Sequence, residues 1–318
     1  MTLVRIHTNS IFIELVCIGG MKMKRFLKNV CFTYFLASSL LLAQDIDVNA
    51  IRTVDGRAKT IMEYLHDDTR LVPTKVFDNV YCIGSVSVVA WAITTSDGII
   101  LIDSMWDDKD AQMIEESLVK LGLNPKDLKY IILTHGHGDH YGGANYLREK
   151  YGAKTVLTKV DTDLMYNLNV GANSPRSPKT KIDIFAKDQD KIVLGDTEVM
   201  LVETPGHTAG CLSVIFPAKD KGEERVAMLW GGTGIPKDKE LQIKYKESAE
   251  YFAKLSQEKN ATVFLTAHLF ADEGYEKLAL INSSNYDGKN PFVFTQEELK
   301  KYFDDLILKA DNAIKNSK

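Results

Sequence analysis

Metal-binding residue types are concentrated in one short stretch of this 318-residue chain. Three of its seven histidines lie within six residues, in the run His135-Gly136-His137-Gly138-Asp139-His140. Alternation along an extended backbone would place His135 and His137 on the same side, where both can bind one metal ion. Asp139 and His140 lie beyond the bend and can serve a second ion. Imidazole nitrogens with one carboxylate form a ligand set suited to zinc, so the run predicts a zinc-binding loop.

Two further histidines follow predicted strands in the same way. His207 lies in Pro205-Gly206-His207-Thr208, after a strand expected to end at Val202, and His268 follows a strand expected to end at Leu265. Functional loops of α/β sheets gather at the carboxyl ends of strands, so these loops can converge on the cluster. On spacing alone, each of these two histidines could equally be an isolated surface residue.

The elements that must position these residues follow from hydrophobic periodicity. The predicted strands are 76–83, 86–95, 99–102, 130–133, 154–157, 191–193, 198–202, 212–216, 227–230 and 262–265. The predicted helices are 109–121, 143–150, 161–168, 244–259, 273–281 and 296–313. Residues 171–180 are expected to be an irregular loop and residues 219–225 a polar hairpin connection. Strands and helices alternate with no Gly/Pro linker between the halves, which predicts one layered α/β domain over residues 44–318.

The first 43 residues are expected to be a presequence. Four basic residues between Lys22 and Lys28 precede an uncharged apolar run from Val30 to Ala43, which is too short to span a membrane and typical of a signal peptide. We therefore expect residues 21–43 to be a signal peptide and residues 1–20 to lie upstream of the true start. The mature protein would be periplasmic or secreted, with no membrane anchor after cleavage.

Composition excludes several partner classes. The formal net charge is −4 and the four cysteines are too few for a disulfide framework, while 26% charged residues argue against a polytopic membrane protein. Basic residues do not outnumber acidic residues, so no nucleic-acid partner is expected. We expect a monomer that acts on a small-molecule substrate.

The motifs resemble those of the metallo-β-lactamase superfamily, whose signature is H-x-H-x-D-H. The resemblance rests on HGHGDH, on the downstream PGHTAG and on the later TAH. It implies a four-layer αββα sandwich with a dinuclear site at one edge of the paired sheets. By this resemblance one zinc would be held by His135, His137 and His207, and a second by Asp139, His140 and His268. Asp103 resembles the family's supporting aspartate beneath the metal loop, although a turn-capping aspartate is the other interpretation.

Differences between this sequence and several branches of the superfamily indicate which branch it resembles most. Flavodiiron relatives carry a glutamate where this chain has His137. Glyoxalase-II-like and RNA-processing relatives carry a metal-bridging aspartate in a late loop, where residues 230–236 (WGGTGIP) present glycine. The commonest lactamase subclass places a metal-binding cysteine there, and Cys211 is expected to pack in the core instead. The third lactamase subclass, in which all ligands are His and Asp, remains as the nearest match.

Fewer residues can be assigned to substrate binding. In the third subclass the late loop supplies hydroxyl groups, and Thr233 would provide one here. Ile235 replaces a residue that is often polar in that subclass. Lys237 could supply a cation for the substrate or be an ordinary solvated lysine. Trp106 and Tyr141 flank the metal loops; core or surface packing is the default interpretation for each, and lining an apolar substrate wall is the alternative.

The resemblance implies a dizinc hydrolase that opens cyclic amides, most simply a β-lactamase. Two zinc ions sharing a water lower the pKa of that water toward about 7, and Asp139 would both bind the second zinc and orient the resulting nucleophile. A lactonase, thioesterase or phosphodiesterase on the same site is the first alternative. A mononuclear-iron persulfide dioxygenase and a non-catalytic binding module are further alternatives.

Overall fold

The computed structural model describes residues 3–8, 11–16, 46–168 and 176–317. The chain forms two compact units, Met1–Gln44 and Asp45–Lys318. The described part of the first unit is an antiparallel hairpin of β1 (Leu3–Thr8) and β2 (Ile11–Val16). The expected signal peptide at 21–43 lies outside the described residues, as do residues 169–175 of the expected loop. Within the described ranges, no helix is both long and apolar enough to cross a membrane.

The second unit contains a seven-stranded sheet that carries the first metal-binding motif. Its strands are β5 (Thr74–Lys75), β6 (Val80–Gly84), β7 (Val89–Thr95), β8 (Gly98–Ile102), β9 (Leu128–Ile132), β10 (Lys154–Thr158) and β11 (Ile184–Ala186). They lie in the order β11-β10-β9-β8-β7-β6-β5. Strands β5 to β8 pair antiparallel, whereas β8 to β11 run parallel. The parallel strands therefore end at the same edge of the sheet.

A five-stranded sheet carries the other two histidines. Its strands, in spatial order, are β12 (Lys191–Leu194), β13 (Thr197–Glu203), β14 (Leu212–Asp220), β15 (Glu223–Trp230) and β16 (Val263–Thr266). All neighbours pair antiparallel except β15 and β16, which run parallel. A minor two-stranded ribbon of β3 (Thr53–Val54) and β4 (Arg57–Ala58) precedes both sheets.

Nine α-helices occur in the part of the second unit that the structure describes. They are α1 (Val48–Arg52), α2 (Ile61–Leu65), α3 (Asp108–Lys120), α4 (Gly138–Tyr141), α5 (Ala144–Tyr151), α6 (Lys159–Asn167), α7 (Lys239–Glu258), α8 (Gly274–Asn282) and α9 (Gln296–Asn316). Helix α3 begins where the Asp107 side chain accepts hydrogen bonds from the backbone N–H groups of Lys109 and Asp110.

Three hydrophobic cores separate four layers. Alternate residues of one strand enter different cores, because side chains of a strand point to opposite faces of its sheet. Trp91 of β7 lies in the core between the two sheets, together with Leu201 of β13, whereas Ala90 packs with α3 and α5. On the far side, Met200 packs with α7 and α9. The architecture is an αββα sandwich, which confirms the expected fold.

One connection differs from the prediction. Residues 219–225 were expected to be a polar hairpin connection, and they do join β14 to β15, but both strands run further than predicted: β14 continues to Asp220 and β15 begins at Glu223, where these two residues pair. The turn is only Lys221-Gly222, and both residues have positive φ angles of 54° and 83°. A two-residue turn of this kind matches the twist of the flanking strands, so polar residues on both sides can remain in the ladder.

Candidate metal centre

Loops after three strands bring the candidate ligands together. The His135–His140 run follows β9, His207 follows β13, and His268 follows β16. Helix α4 begins immediately after His137, so the chain turns between the first two histidines and the Asp139–His140 pair. The structure brings all six candidate ligands to one edge of the sandwich.

The six residues form two groups of three. In each group the potential ligand atoms lie within 4.8 Å of one another, the first group being His135, His137 and His207 and the second Asp139, His140 and His268. The second group is buried, whereas His137 and His207 are half-buried. The two groups are adjacent, because the rings of His135 and His140 have centroids 3.9 Å apart. This is the arrangement expected of a two-ion centre with one open side.

Hydrogen bonds on the opposite ring nitrogens orient the imidazoles. Nδ1 of His140 donates to Asp103 Oδ2 at 2.7 Å, Nδ1 of His207 donates to the Gly234 carbonyl at 2.6 Å, and Nδ1 of His268 donates to the Ser87 carbonyl at 2.9 Å. An imidazole that donates from Nδ1 keeps the lone pair of Nε2 free when it is neutral. These three side chains therefore present Nε2 to the centre.

Unpartnered atoms at the centre fit a metal ion. Nε2 of His135 and Nε2 of His140 are buried without a hydrogen-bond partner. Buried polar atoms are nearly always paired, and a metal ion is the partner that imidazole Nε2 atoms and a carboxylate share. His137 is the exception in orientation, since its Nδ1 lies 3.1 Å from His207 Nε2. The donor set and the orphaned nitrogens thus both fit metal binding.

Burial also keeps the first group in the state that binds metal. It lowers the pKa of His207 to about 3, and it holds the pKa of His135 well below its usual value, with the neighbouring imidazoles adding to both shifts. At His140, burial is opposed by the carboxylates of Asp139 and Asp103, which raise its pKa to about 10. The second group therefore stabilises a positive charge at His140 Nε2, where a cation can replace the proton.

Asp103 lies directly beneath the second group. Besides His140, its carboxylate accepts hydrogen bonds from the backbone N–H of Thr134 at 2.8 Å and from the Thr134 hydroxyl at 2.9 and 3.0 Å. Asp103 is fully buried and its φ is +61°, a left-handed conformation that aspartate and asparagine tolerate better than most residues. The structure places it as a support for the metal loop.

The side chain of Tyr141, one of the two aromatic residues considered for substrate binding, does not face the metal centre. Its side chain is fully buried in the core beneath α3 and α5, because α4 turns it inward, and its hydroxyl accepts a hydrogen bond from Lys179. The packing interpretation therefore applies to Tyr141, and its side chain does not line a substrate wall. Trp106 remains half-buried, and its Nε1 donates to Ser87 Oγ at 2.8 Å, beside the carbonyl that holds His268.

The late loop packs tightly against His207. A Cβ atom added to Gly232 would lie 2.3 Å from His207 Cβ, so no side chain fits there. Thr233 is half-buried, with its carbonyl accepting from Tyr245 at 3.2 Å, and Lys237 is exposed. Ile235 is half-buried against the core under α7.

The two cysteines in the described residues are free and buried. Burial raises the pKa of both the Cys82 and the Cys211 thiols, so neither is poised as a thiolate ligand or nucleophile.

Sequence reasoning missed the groups that orient the histidines. Ser87 and Gly234 act through backbone carbonyls, which carry no residue-type signal. Thr134 was passed over although it adjoins the cluster and the sequence offered a hydroxyl there. Its side chain contacts Asp103, His135 Nδ1 at 3.1 Å and His140 Nδ1 at 3.2 Å.

Comparison with known proteins agrees with this fold. The family model described as the metallo-beta-lactamase superfamily matches residues 83–220. A subclass B3 metallo-β-lactamase of Bradyrhizobium japonicum superposes with a TM-score of 0.68 at 27% identity, covering 81% of this chain and 98% of that one. A metallo-β-lactamase from Legionella gormanii gives 0.68 at 24% identity over 79% and 98% of the two chains.

Curated relatives point to another member of the same fold. A hydroxyacylglutathione hydrolase of Brucella anthropi is 33% identical over 114 residues, which are 35% of this chain and 36% of the relative. One from Pelagibacter ubique is 38% identical over 89 residues, or 28% and 31% of the two chains. The matched region thus spans about a third of the length of these relatives.

The edge of the sandwich thus carries two groups of His and Asp side chains that fit a metal-binding centre. Residues 83–220 match the metallo-beta-lactamase superfamily model, and the fold is shared with a subclass B3 metallo-β-lactamase of known structure.

Proposed function

We propose that the protein is an exported dizinc hydrolase that opens the amide bond of β-lactams. The support is the two groups of three ligands without a cysteine, together with the fold and sequence similarity to a subclass B3 enzyme. Its partner would be a small-molecule substrate, the mature protein would be a periplasmic or secreted monomer without a membrane anchor, and its activity would contribute to antibiotic resistance.

His135, His137 and His207 would hold one zinc, and Asp139, His140 and His268 the other. Bound zinc ions supply a water nucleophile at neutral pH and polarise the carbonyl that it attacks. Asp139 is suited to a second task, because its Oδ2 lies 3.4 Å from both His140 Nε2 and His268 Nε2. These two imidazoles hold the pKa of the Asp139 carboxyl well below its usual range against the effect of burial. The ionised carboxylate can therefore accept a hydrogen bond and orient the nucleophile.

The observation that favours a lactamase over a glyoxalase-II-like enzyme is the packing at Gly232. Glyoxalase-II-like relatives carry a metal-bridging aspartate in this loop. In this protein Gly232 packs so closely against His207 that a Cβ atom at residue 232 would clash with His207 Cβ. The loop thus supports a centre built from the six side chains already named, without a bridging carboxylate from residue 232.

A thioesterase acting on hydroxyacylglutathione is the second candidate, because the curated relatives carry that name. A lactonase, a phosphodiesterase or a mononuclear-iron persulfide dioxygenase would use the same fold with other substrates or with one metal. Fold alone does not separate these activities, since the same centre can polarise any of these carbonyl or phosphoryl groups.

A substrate panel tests the proposal. Nitrocefin, a carbapenem, S-lactoylglutathione, an acyl-homoserine lactone and a nitrophenyl phosphodiester are assayed with the purified protein. We expect kcat/KM to be highest for a β-lactam and to be lost in Asp139→Asn, while Asp163→Asn, an exposed aspartate on α6, retains it. Thioester hydrolysis without lactam hydrolysis would establish the second candidate instead.

A further inference from the structure

Besides Asp103, a second fully buried carboxylate near the centre belongs to neither ligand group. Asp161 lies in the first turn of α6 and is 0% exposed. Its Oδ2 accepts hydrogen bonds from the backbone N–H of Gly136 at 2.8 Å and from the Thr208 hydroxyl at 2.6 Å. Its Oδ1 accepts from the backbone N–H of Gly210 at 2.7 Å. A single carboxylate therefore joins the loop of His135 and His137 to the loop of His207.

Packing against Asp161 explains one glycine of each motif, Gly136 and Gly210. A Cβ atom on Gly136 would lie 2.5 Å from the Asp161 carbonyl oxygen. One on Gly210 would lie 2.8 Å from Asp161 Oδ1 and 2.4 Å from Thr158 Oγ1. Thr158, which caps α6, also donates from its hydroxyl to the Gly210 carbonyl at 2.7 Å. Both loops are thus drawn against the turn between β10 and α6 as closely as the backbone permits.

The residues joined in this way flank the first ligand group only. Gly136 separates His135 from His137, and Thr208 follows His207, whose Nε2 lies 3.1 Å from His137 Nδ1. The second group has a different carboxylate beneath it, Asp103, which contacts His140. The two carboxylates therefore support different groups from different elements.

We propose that Asp161 is a positioning residue that sets the separation of His137 and His207 and thereby the metal affinity of the first group. It contacts neither substrate nor metal and acts through two backbone amides and one hydroxyl. The inference rests on the two-metal centre of the proposed function but not on the identity of the substrate.

Substitution by asparagine shows why the carboxylate is needed. All three groups facing the Asp161 side chain are donors, and a carboxylate is a pure acceptor. The asparagine amide has one oxygen, so its NH₂ group must face the N–H of either Gly136 or Gly210. One of the two loops loses its anchor while the side-chain volume is conserved.

The test is metal affinity in competition with a chromophoric chelator, measured on the full chain without substrate. Asp161→Asn should weaken one zinc equivalent about 10- to 100-fold and leave the other unchanged, the usual effect of removing an outer partner of a metal ligand. Thr208→Val, which removes only the hydroxyl, should give a smaller loss of the same equivalent, and Thr208→Ser should restore the wild-type affinity.

Two controls separate positioning from general destabilisation. Asp183→Asn removes a part-buried carboxylate that pairs with Arg148 and lies just before β11, and it should leave both zinc affinities unchanged. In a His268→Ala background, where only the first group is complete, Asp161→Asn should weaken the remaining site by the same factor as before. Equal affinities in Asp161→Asn and wild type, or an equal loss in Asp183→Asn, would overturn the inference. A wild-type chain that binds no metal would instead overturn the proposed function and this inference with it.

Discussion

Replacing Asp103 by asparagine should weaken the second metal site through the tautomer of His140. Asp103 Oδ2 accepts the Nδ1–H of His140 at 2.7 Å, and both side chains are 1% exposed. Asparagine keeps the size and tolerates the left-handed backbone at this position, so the carboxylate is the main thing changed. If the amide NH₂ faces His140, Nδ1 must accept a hydrogen bond and the ring proton moves to Nε2. The lone pair that faces the centre is then lost.

The magnitude follows from the bond that is removed. Hydrogen bonds to charged groups contribute about 1.5–3 kcal/mol, and each 1.4 kcal/mol corresponds to about a tenfold change in an equilibrium constant. We therefore expect zinc affinity at the second site to fall by about 10- to 150-fold. The first site should change less, because Nδ1 of His207 is held by the Gly234 carbonyl and not by Asp103.

Zinc titration with a competing chelator measures both equivalents separately. Ser104→Ala is the matched control, because it removes a 2.9 Å hydrogen bond from the Ser104 hydroxyl to the His140 carbonyl but leaves the carboxylate in place. If folded Asp103→Asn bound two zinc equivalents with the wild-type affinities, the tautomer argument would be refuted. A loss of equal size in Ser104→Ala would assign the effect to loop geometry instead.

His140→Ala should abolish most turnover and halve the zinc content measured by elemental analysis; full turnover with unchanged zinc contradicts the ligand assignment. Gly232→Ala forces a Cβ atom to 2.3 Å from His207 Cβ, so thermal melts should show a lower Tm and titrations a weaker first site. Burial raises the pKa of Asp272 from about 3.8 to about 6. The folded state is therefore destabilised by ionisation of Asp272, an effect that is absent at low pH and grows as pH rises through that interval. Asp272→Asn should therefore be more stable than wild type above pH 6, by about 3 kcal/mol at most, with equal stability near pH 4 in denaturant titrations. Chelators should remove activity without unfolding, since three cores hold the fold; loss of the circular-dichroism signal on chelation would contradict this.

The sequence predicted the long, periodic elements within a few residues of their observed bounds. The strand expected at 130–133 is β9, Leu128–Ile132, and the helix expected at 296–313 is α9, Gln296–Asn316. The short elements α1, α2 and β11 were not predicted, because they show no clear hydrophobic period and are stabilised by tertiary contacts. Tyr64 of α2, for example, stacks on Phe270 with ring centroids 5.0 Å apart.

The candidate ligands were within reach of sequence reasoning because each follows a strand that periodicity detects. Their supports were not, because support depends on residues distant in sequence. Ser87 meets His268 across 181 positions, and Asp161 meets Gly210 across 49. Tyr141 shows the reverse case. It adjoins the ligands in sequence, but the short helix α4 directs its side chain into the core.

The most direct test of the account is the zinc content of the purified protein, measured on the same sample as nitrocefin hydrolysis. The account predicts two zinc ions per chain, with hydrolysis that disappears on chelation and returns with added zinc. One iron per chain, or two zinc ions without hydrolysis of any β-lactam, would contradict the proposed function.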